Sequence, residues 1–172
     1  MIEAVGSTRL PAAGQGNVCM TRICSSIQIR QPIEQVFDFI TTPGNWPQWH
    51  PASVSVGGNA DHSLLPGEEV TENISVAGRR GQVTWLVRER SAPHRWVIEG
   101  IGKDGGRATI TYTLNRDPAG TNFERELVYT MPNALLAVLD WLIIHSRMKA
   151  DSVEALQRLK RRLESGRGIN LN

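Results

Sequence analysis

Apolar positions follow strand and helix periods in turn along the chain. In a first segment, residues 22–30, Ile27 and Ile29 share one face with a polar residue between them, which is the alternation of a half-buried strand. Pro32 then ends the strand and opens a short helix, and residues 46–51 form a second short turn rich in aromatic side chains. The sequence therefore predicts one strand followed by two short helices.

After this opening, the period of two residues returns and persists over most of the chain. Each segment has one apolar face, and turns containing Gly or Pro separate the segments at short intervals. This pattern predicts an antiparallel meander. Its strands cover residues 52–56, 68–76, 82–90, 95–101, 107–116 and 122–131.

A helical period begins after Pro132, with Asn133 as the expected cap, and continues to about Ser165. Such a helix is roughly 50 Å long. Its first half, including Ala134 to Ile144, is apolar nearly all round, whereas its second half has a single apolar stripe. A helix that is apolar on every side must be covered on every side, so we expect the rest of the domain to surround it.

Together these elements predict an α+β domain. A curved antiparallel sheet of seven strands surrounds a long C-terminal helix, with two short helices after the first strand. Because a curled sheet and a long helix lie too far apart for side chains to fill the gap, we expect a cavity between them.

The opening of this domain carries a family resemblance. Residues 27–40, IQIRQPIEQVFDFI, followed by Trp46-Pro47-Gln48-Trp49, resemble the start of the START-like superfamily, also called SRPBCC or Bet v 1-like. This superfamily includes polyketide cyclases and dehydrases, plant allergens and lipid-transfer domains. The resemblance covers about residues 22–164 and implies a helix-grip fold with an elongated pocket between sheet and helix. It implies no particular catalytic residue.

Length and composition fit one domain. The chain has 172 residues, 40% hydrophobic and 21% charged, which suits a globular domain with its own core. We assign residues 1–20 to a leader or N-terminal extension, 21–166 to the START-like domain and 167–172 to a C-terminal tail. We expect a cytoplasmic protein, because no secretory signal and no run of about 18 apolar residues is visible.

The net charge, the cysteines and one glycine-rich motif bear on whether the chain binds nucleic acid, a metal ion or a dinucleotide. A net charge of +2 does not favour nucleic acid as a partner. Cys19 and Cys24 lack metal-ligand spacing, so we expect reduced thiols and no metal. The sequence Gly100-Ile101-Gly102-Lys103-Asp104-Gly105 matches a dinucleotide fingerprint, but a strand rather than a helix is predicted after it, so we expect no cofactor there.

Two charged residues share strand parity with the inward apolar set. Arg125 lies between Phe123 and Leu127 on one face of its strand, and Glu72 lies between Val70 and Ile74 on one face of its own strand. A buried charge must be paired or shift its pKa. These residues are therefore candidates for orienting a polar group of a ligand or for acid–base chemistry. The alternatives are a structural ion pair or a water-filled cavity mouth.

The same parity brings several aromatic residues to the inner face of the sheet. They would bring apolar area with polar handles, which suits a sterol-like or aromatic ligand. The alternative is that they are ordinary core. These aromatic candidates are Trp85, Trp96, Tyr112, Phe123 and Tyr129, with Trp141 on the long helix facing them.

Histidines offer weaker candidates. His50 lies near the expected pocket entrance, where it could act as a general base, or it could be a capping or surface residue. No acid partner is fixed by spacing for His62 or His145, and no nucleophilic triad is indicated.

Three hypotheses follow. The first is a binding module that holds a small apolar ligand, lipid-like, polyketide or aromatic, without turnover. The second is an enzyme of the cyclase/dehydratase type that uses the same cavity, with Glu72, Arg125 or His50 as its candidate groups. The third is an interaction protein that forms a homodimer through the apolar half of the long helix.

Overall fold

The protein is described by a computed structural model that covers residues 9–10, 20–130 and 137–165, with side chains for 20–130 and 145–165. Its strands form one antiparallel sheet. The strands are β1 (Arg9–Leu10), β2 (Met20–Ile29), β3 (Ser53–Gly57), β4 (Glu69–Val76), β5 (Arg79–Ser91), β6 (Arg95–Gly102), β7 (Arg107–Asp117) and β8 (Gly120–Thr130).

Helices interrupt the sheet at the predicted places. Helix α1 (Ile33–Thr41) follows Pro32 and buries one face, and a 3-10 turn (Pro43–Asn45) leads into the short α2 (Trp46–Trp49). Helix α3 (Ala137–Ser165) is long, as expected. The predicted start of this helix and its cap Asn133 lie outside the described residues.

The strand order is β1-β2-β8-β7-β6-β5-β4-β3, so β2 pairs with β8 and the meander runs on from there. The predicted α+β fold with a curved antiparallel sheet and a C-terminal helix is confirmed. In the described part of the chain the sheet has one strand more than predicted. This strand is the two-residue β1, which pairs with Thr21 and Met20 through backbone contacts that side-chain periodicity does not encode.

One turn is shorter than expected. The strands predicted at residues 68–76 and 82–90 leave residues 77–81 as the connection, but the structure has a tight turn at Ala77 and Gly78, which have φ of 50° and 78°. The positive φ values reverse the chain within two residues, so Arg79 pairs directly with Val76.

The core lies between the inner face of the sheet and the helices. Alternate residues of the strands are buried, as the parity predicts, and Ala155, Leu156 and Leu159 of α3 join them. The amide of Gln31 donates to the carbonyl of Leu163 at 2.6 Å, which ties the end of α3 to the corner after β2.

The glycine-rich stretch at the end of β6 forms a hairpin. The Gly102 N–H donates to the Gly106 carbonyl at 2.9 Å, and β7 begins at Arg107. The strand predicted after this motif is confirmed, and no helix N-terminus lies there.

Candidate functional site

A cavity of about 130 Å³ lies between the inner face of the sheet, the end of α2 and helix α3. That volume holds several water molecules or a small organic group. Strands β4 to β8 supply most of its wall. The lining residues are Trp46, Trp49, His50, Ala52, Glu72, Ile74, Val76, Val83, Trp85, Ile98, Ala108, Ile110, Tyr112, Arg125, Leu127, Met148, Asp151 and Ser152.

Most of the wall is apolar, and one glycine shapes it. A β-carbon on Gly100 would lie 2.5 Å from the ring of Trp85, its neighbour across the β5–β6 pair. No real side chain tolerates that approach, so the absence of a side chain at Gly100 lets the Trp85 indole lie flat on the sheet. The indole then forms part of the wall beside Ile98 and Val83.

Arg125 brings a positive charge into this apolar wall. It lies on β8 opposite Tyr112 of β7, and only 3% of its surface is exposed. Its Nη1 donates to the Ser152 hydroxyl of α3 at 3.1 Å. Within the described residues, no carboxylate lies within 4 Å of the Arg125 guanidinium, and its Nε–H has no hydrogen-bond partner.

Glu72 lies on another part of the wall. Its Oε2 accepts a hydrogen bond from the indole N–H of Trp85 at 2.8 Å, and its side chain is buried. Burial raises the pKa of the Glu72 carboxyl, while the Trp85 hydrogen bond and the charge of Arg125 oppose that shift. The cavity therefore favours the neutral acid form more than water does.

Two further titratable groups line the cavity. Burial raises the pKa of the Tyr112 hydroxyl to about 12, so this group stays a neutral hydrogen-bond donor. Burial, assisted by the charges of Arg125 and Arg158, lowers the pKa of His50 to about 3. The His50 ring is therefore neutral at physiological pH, and it packs edge-on against Trp49 at 5.6 Å between ring centroids.

Helix α3 contributes polar residues that sequence reasoning missed. Ser152 binds Arg125, and the neighbouring Asp151 forms an ion pair with Arg147 at 2.9 Å. Burial raises the pKa of the Asp151 carboxyl. A signal was available in the sequence, because Ser152 lies four residues before the buried Leu156 and so occupies the same face of the helix.

Within the described ranges, no group of three His, Cys, Asp or Glu side chains is arranged to hold a metal ion. None of the described helices is long and apolar enough to cross a membrane.

The sequence of this chain is similar to that of a known protein family. Residues 20–164 match the family described as "Polyketide cyclase / dehydrase and lipid transport". The chain belongs to this family. The START-like resemblance of the opening motif is thereby confirmed, and the match covers nearly all of the domain assigned to residues 21–166.

Individual proteins that are similar to this member of the cyclase/dehydrase family fit the assignment. A protein of Penicillium ochrochloron named "Penitrem biosynthesis cluster 1 protein I" is 33% identical over 117 residues, which cover 62% of this chain and 72% of that protein. A crystal structure from Rhodobacter sphaeroides aligns with a TM-score of 0.64 and 21% identity, over 93% of this chain and 99% of that one. The structure of Ara h 8.0201 aligns with a TM-score of 0.61 and 12% identity, over 85% and 99%. At these identities the two solved structures show a shared fold.

Four of the ligand-contact candidates in this family member meet at the cavity. Glu72, Trp85, Tyr112 and Arg125 all line it, and so does His50, the candidate base. His62 lies elsewhere, where its ring contacts the Glu68 carboxylate at 2.9 Å.

The other aromatic candidates pack in the core. Trp96 stacks on Tyr112 at 5.4 Å, and Phe123 meets Tyr112 edge-on at 5.2 Å. Both are fully buried and neither lines the cavity; they pack behind Tyr112, and Trp96 also meets Trp46 of α2 at 6.3 Å. Tyr129 is also buried, with its hydroxyl 3.4 Å from the His145 ring. The side chain of Trp141 lies outside the described residues.

Proposed function

We propose that this chain holds a small, largely apolar molecule in the cavity between its sheet and α3. The observation that carries the proposal is the composition of the wall, which is mostly aliphatic and aromatic but includes buried polar groups at a few positions. Apolar concavities with a few convergent polar groups are the usual form of small-molecule sites.

Three chemical classes suit this wall: lipid-like chains, polyketides and aromatic compounds. The family description names polyketide cyclases and lipid transport, and the Penicillium relative is named for a biosynthesis cluster, which supports the same range. Trp85 and Tyr112 would cover the apolar body of the ligand, while Arg125 or Glu72 would fix a polar end. Trp96, Phe123 and Tyr129 would then support the wall from behind.

The binding test uses Nile red, a neutral apolar dye, with fluorescence as the readout. Ala108→Phe fills the cavity from its wall, whereas Thr109→Phe places the same side chain on the opposite face of β7. We expect wild type and Thr109→Phe to bind the dye and Ala108→Phe to lose binding. Equal binding by all three proteins would show that the dye sits elsewhere and would contradict the proposal. Native mass spectrometry of protein from its own host then seeks the resident molecule.

A second candidate function is catalysis of the cyclase or dehydratase type in the same cavity. The observation favouring it is that the pKa values of two titratable groups on the wall move in opposite directions. The pKa of Glu72 is raised, which suits a proton donor, and that of His50 is lowered, which keeps a neutral acceptor. Orientation of a reactive chain between them would supply much of the rate.

Turnover of a poly-β-ketone thioester, followed by liquid chromatography and mass spectrometry, tests this candidate. We expect Glu72→Gln and His50→Gln to abolish product formation while Nile red binding persists. Unchanged product formation in both variants would show that neither group takes part in the reaction, and no product formation by the wild type would leave only the binding role.

Dimerisation through the apolar first half of α3 also stays a prediction, since the side chains concerned lie outside the described residues. Light scattering at several protein concentrations measures it directly, and a constant monomer mass would contradict it.

A further inference from the structure

Arg125 is a buried cation of the cavity wall, and it forms no ion pair with any carboxylate of the described residues. We propose that the occupant carries an acidic oxygen group, such as a carboxylate, and that Arg125 binds this group together with the hydroxyls of Tyr112 and Ser152. This inference rests on the proposed binding function and adds the charge of the ligand class to it.

The charge of Arg125 is permanent. A guanidinium stays protonated in proteins, so it cannot escape burial by losing its proton as Lys or His can. An ion with 3% of its surface exposed must therefore be compensated by an opposite charge or by a full set of hydrogen bonds. Its hydrogen-bond partners among the described residues, the hydroxyls of Ser152 and Tyr112, are both neutral.

Carboxylates of the described residues do not provide that compensation. Glu72 lines the same cavity and feels the charge of Arg125, but it forms no ion pair with Arg125 within 4 Å, and its Oε2 accepts from Trp85. Burial also raises the pKa of the Glu72 carboxyl, which disfavours its charge. Asp151 is adjacent to Ser152 in sequence but is paired with Arg147 at 2.9 Å. Arg158 adds a further positive charge near His50 and is itself paired with Glu154.

The geometry around Arg125 suits an acidic oxygen. Its Nε–H is buried and has no partner within the described residues, although a guanidinium offers parallel donors that match the two oxygens of a carboxylate. Tyr112 is the cross-strand partner of Arg125, and its neutral hydroxyl can donate a third hydrogen bond. An apolar molecule with one acidic end would place its body against Trp85 and its anion at Arg125.

The test compares naphthoate with naphthylmethanol, two ligands of nearly equal size and apolar area that differ in charge. Affinities are measured by displacement of Nile red at pH 7.5. Hydrogen bonds to charged groups are strong enough that we expect wild type to prefer naphthoate by about 10- to 100-fold. Arg125→Met keeps an unbranched side chain without charge, and we expect it to lose this preference while still binding the alcohol.

Two variants serve as controls. Arg88→Met removes an exposed arginine that pairs with Glu99 and does not line the cavity, so it should keep the preference for naphthoate. Tyr112→Phe should reduce the preference by a smaller factor than Arg125→Met, since it removes one neutral donor. Should Arg125→Met fail to fold, Arg125→Lys retains the charge without the guanidinium donors and should show a reduced preference.

Equal affinities of wild type for the two ligands would overturn this inference and leave the binding function standing. The inference would also be overturned if the protein bound Nile red and naphthoate did not displace the dye. Absence of binding of Nile red and of both naphthalenes would overturn the inference and the binding function together.

Discussion

The lowered pKa of His50 predicts that the stability of the protein falls as the pH falls below neutral. In the folded protein its pKa is about 3, against an ordinary value of 6.5, so the native ring stays neutral while the ring in the unfolded chain gains a proton. Between these two values the unfolded state binds more protons than the folded state, and stability therefore falls as the pH falls. The slope is about 1.4 kcal/mol for each pH unit.

From pH 7 to pH 5 this amounts to about 2 kcal/mol for a fully buried ring. The His50 side chain is partly exposed, so solvent screening reduces the expected loss to about 1–2 kcal/mol. The assay is urea unfolding at both pH values, followed by tryptophan fluorescence, for wild type and for His50→Gln. The contribution of His50 is the change in unfolding free energy between the two pH values in wild type minus the same change in His50→Gln. Carboxyl groups contribute equally to both changes and cancel.

His62 supplies the control with the opposite sign. The hydrogen bond to Glu68 raises the pKa of His62, so its contribution to stability is complete at low pH and is lost as the pH rises. Relative to His62→Gln, wild type should gain stability at pH 5. If wild type and His50→Gln lost the same stability between pH 7 and pH 5, the inferred burial of a neutral His50 would be refuted.

Three further predictions concern the cavity wall and the core. Gly100→Ala forces its new methyl group against Trp85, and we expect a loss of about 1–3 kcal/mol in urea unfolding and a shifted tryptophan emission; an unchanged midpoint would contradict the packing. Leu156→Ala removes a fully buried side chain of α3 and should cost about 2–5 kcal/mol, whereas the same change at the exposed Leu65 should cost little. Trp85→Phe removes the donor to Glu72 and should cost about 1–3 kcal/mol at pH 8. This loss should shrink as the pH falls through the raised pKa of Glu72, because a protonated carboxyl depends less on the indole donor, and a loss that stays constant with pH would argue against an ionised Glu72.

Most of the fold followed from local pattern. Strand parity placed Arg125 and Glu72 on the inner face because alternate residues of a strand face the same side, and both are buried there. The turn at Ala77 and Gly78 was predicted to be longer, since Gly78 and Gly81 both favour a turn and periodicity does not choose between them.

The cavity was less accessible to sequence reasoning. Parity separates inner from outer side chains, but it does not separate cavity wall from packed core, so Trp85 and Trp96 looked alike. Their difference depends on tertiary packing: Trp85 lines the cavity, whereas Trp96 packs against Trp46 and Tyr112. Helical spacing from Leu156 marks Ser152 as inward-facing, but its partner Arg125 is identified only once β8 is placed opposite α3.

The pairing of β2 with β8 has a consequence for how the chain reaches its native state. Arg22 lies opposite Val128, so the two strands meet only after a long intervening segment has been made. Such distant pairings are slow to form, since much chain entropy is lost before the contact is gained. During synthesis the edge of β2 that pairs with β8 stays unpaired until β8 has been made. An unpaired strand edge can pair with another chain, so aggregation is favoured during this interval.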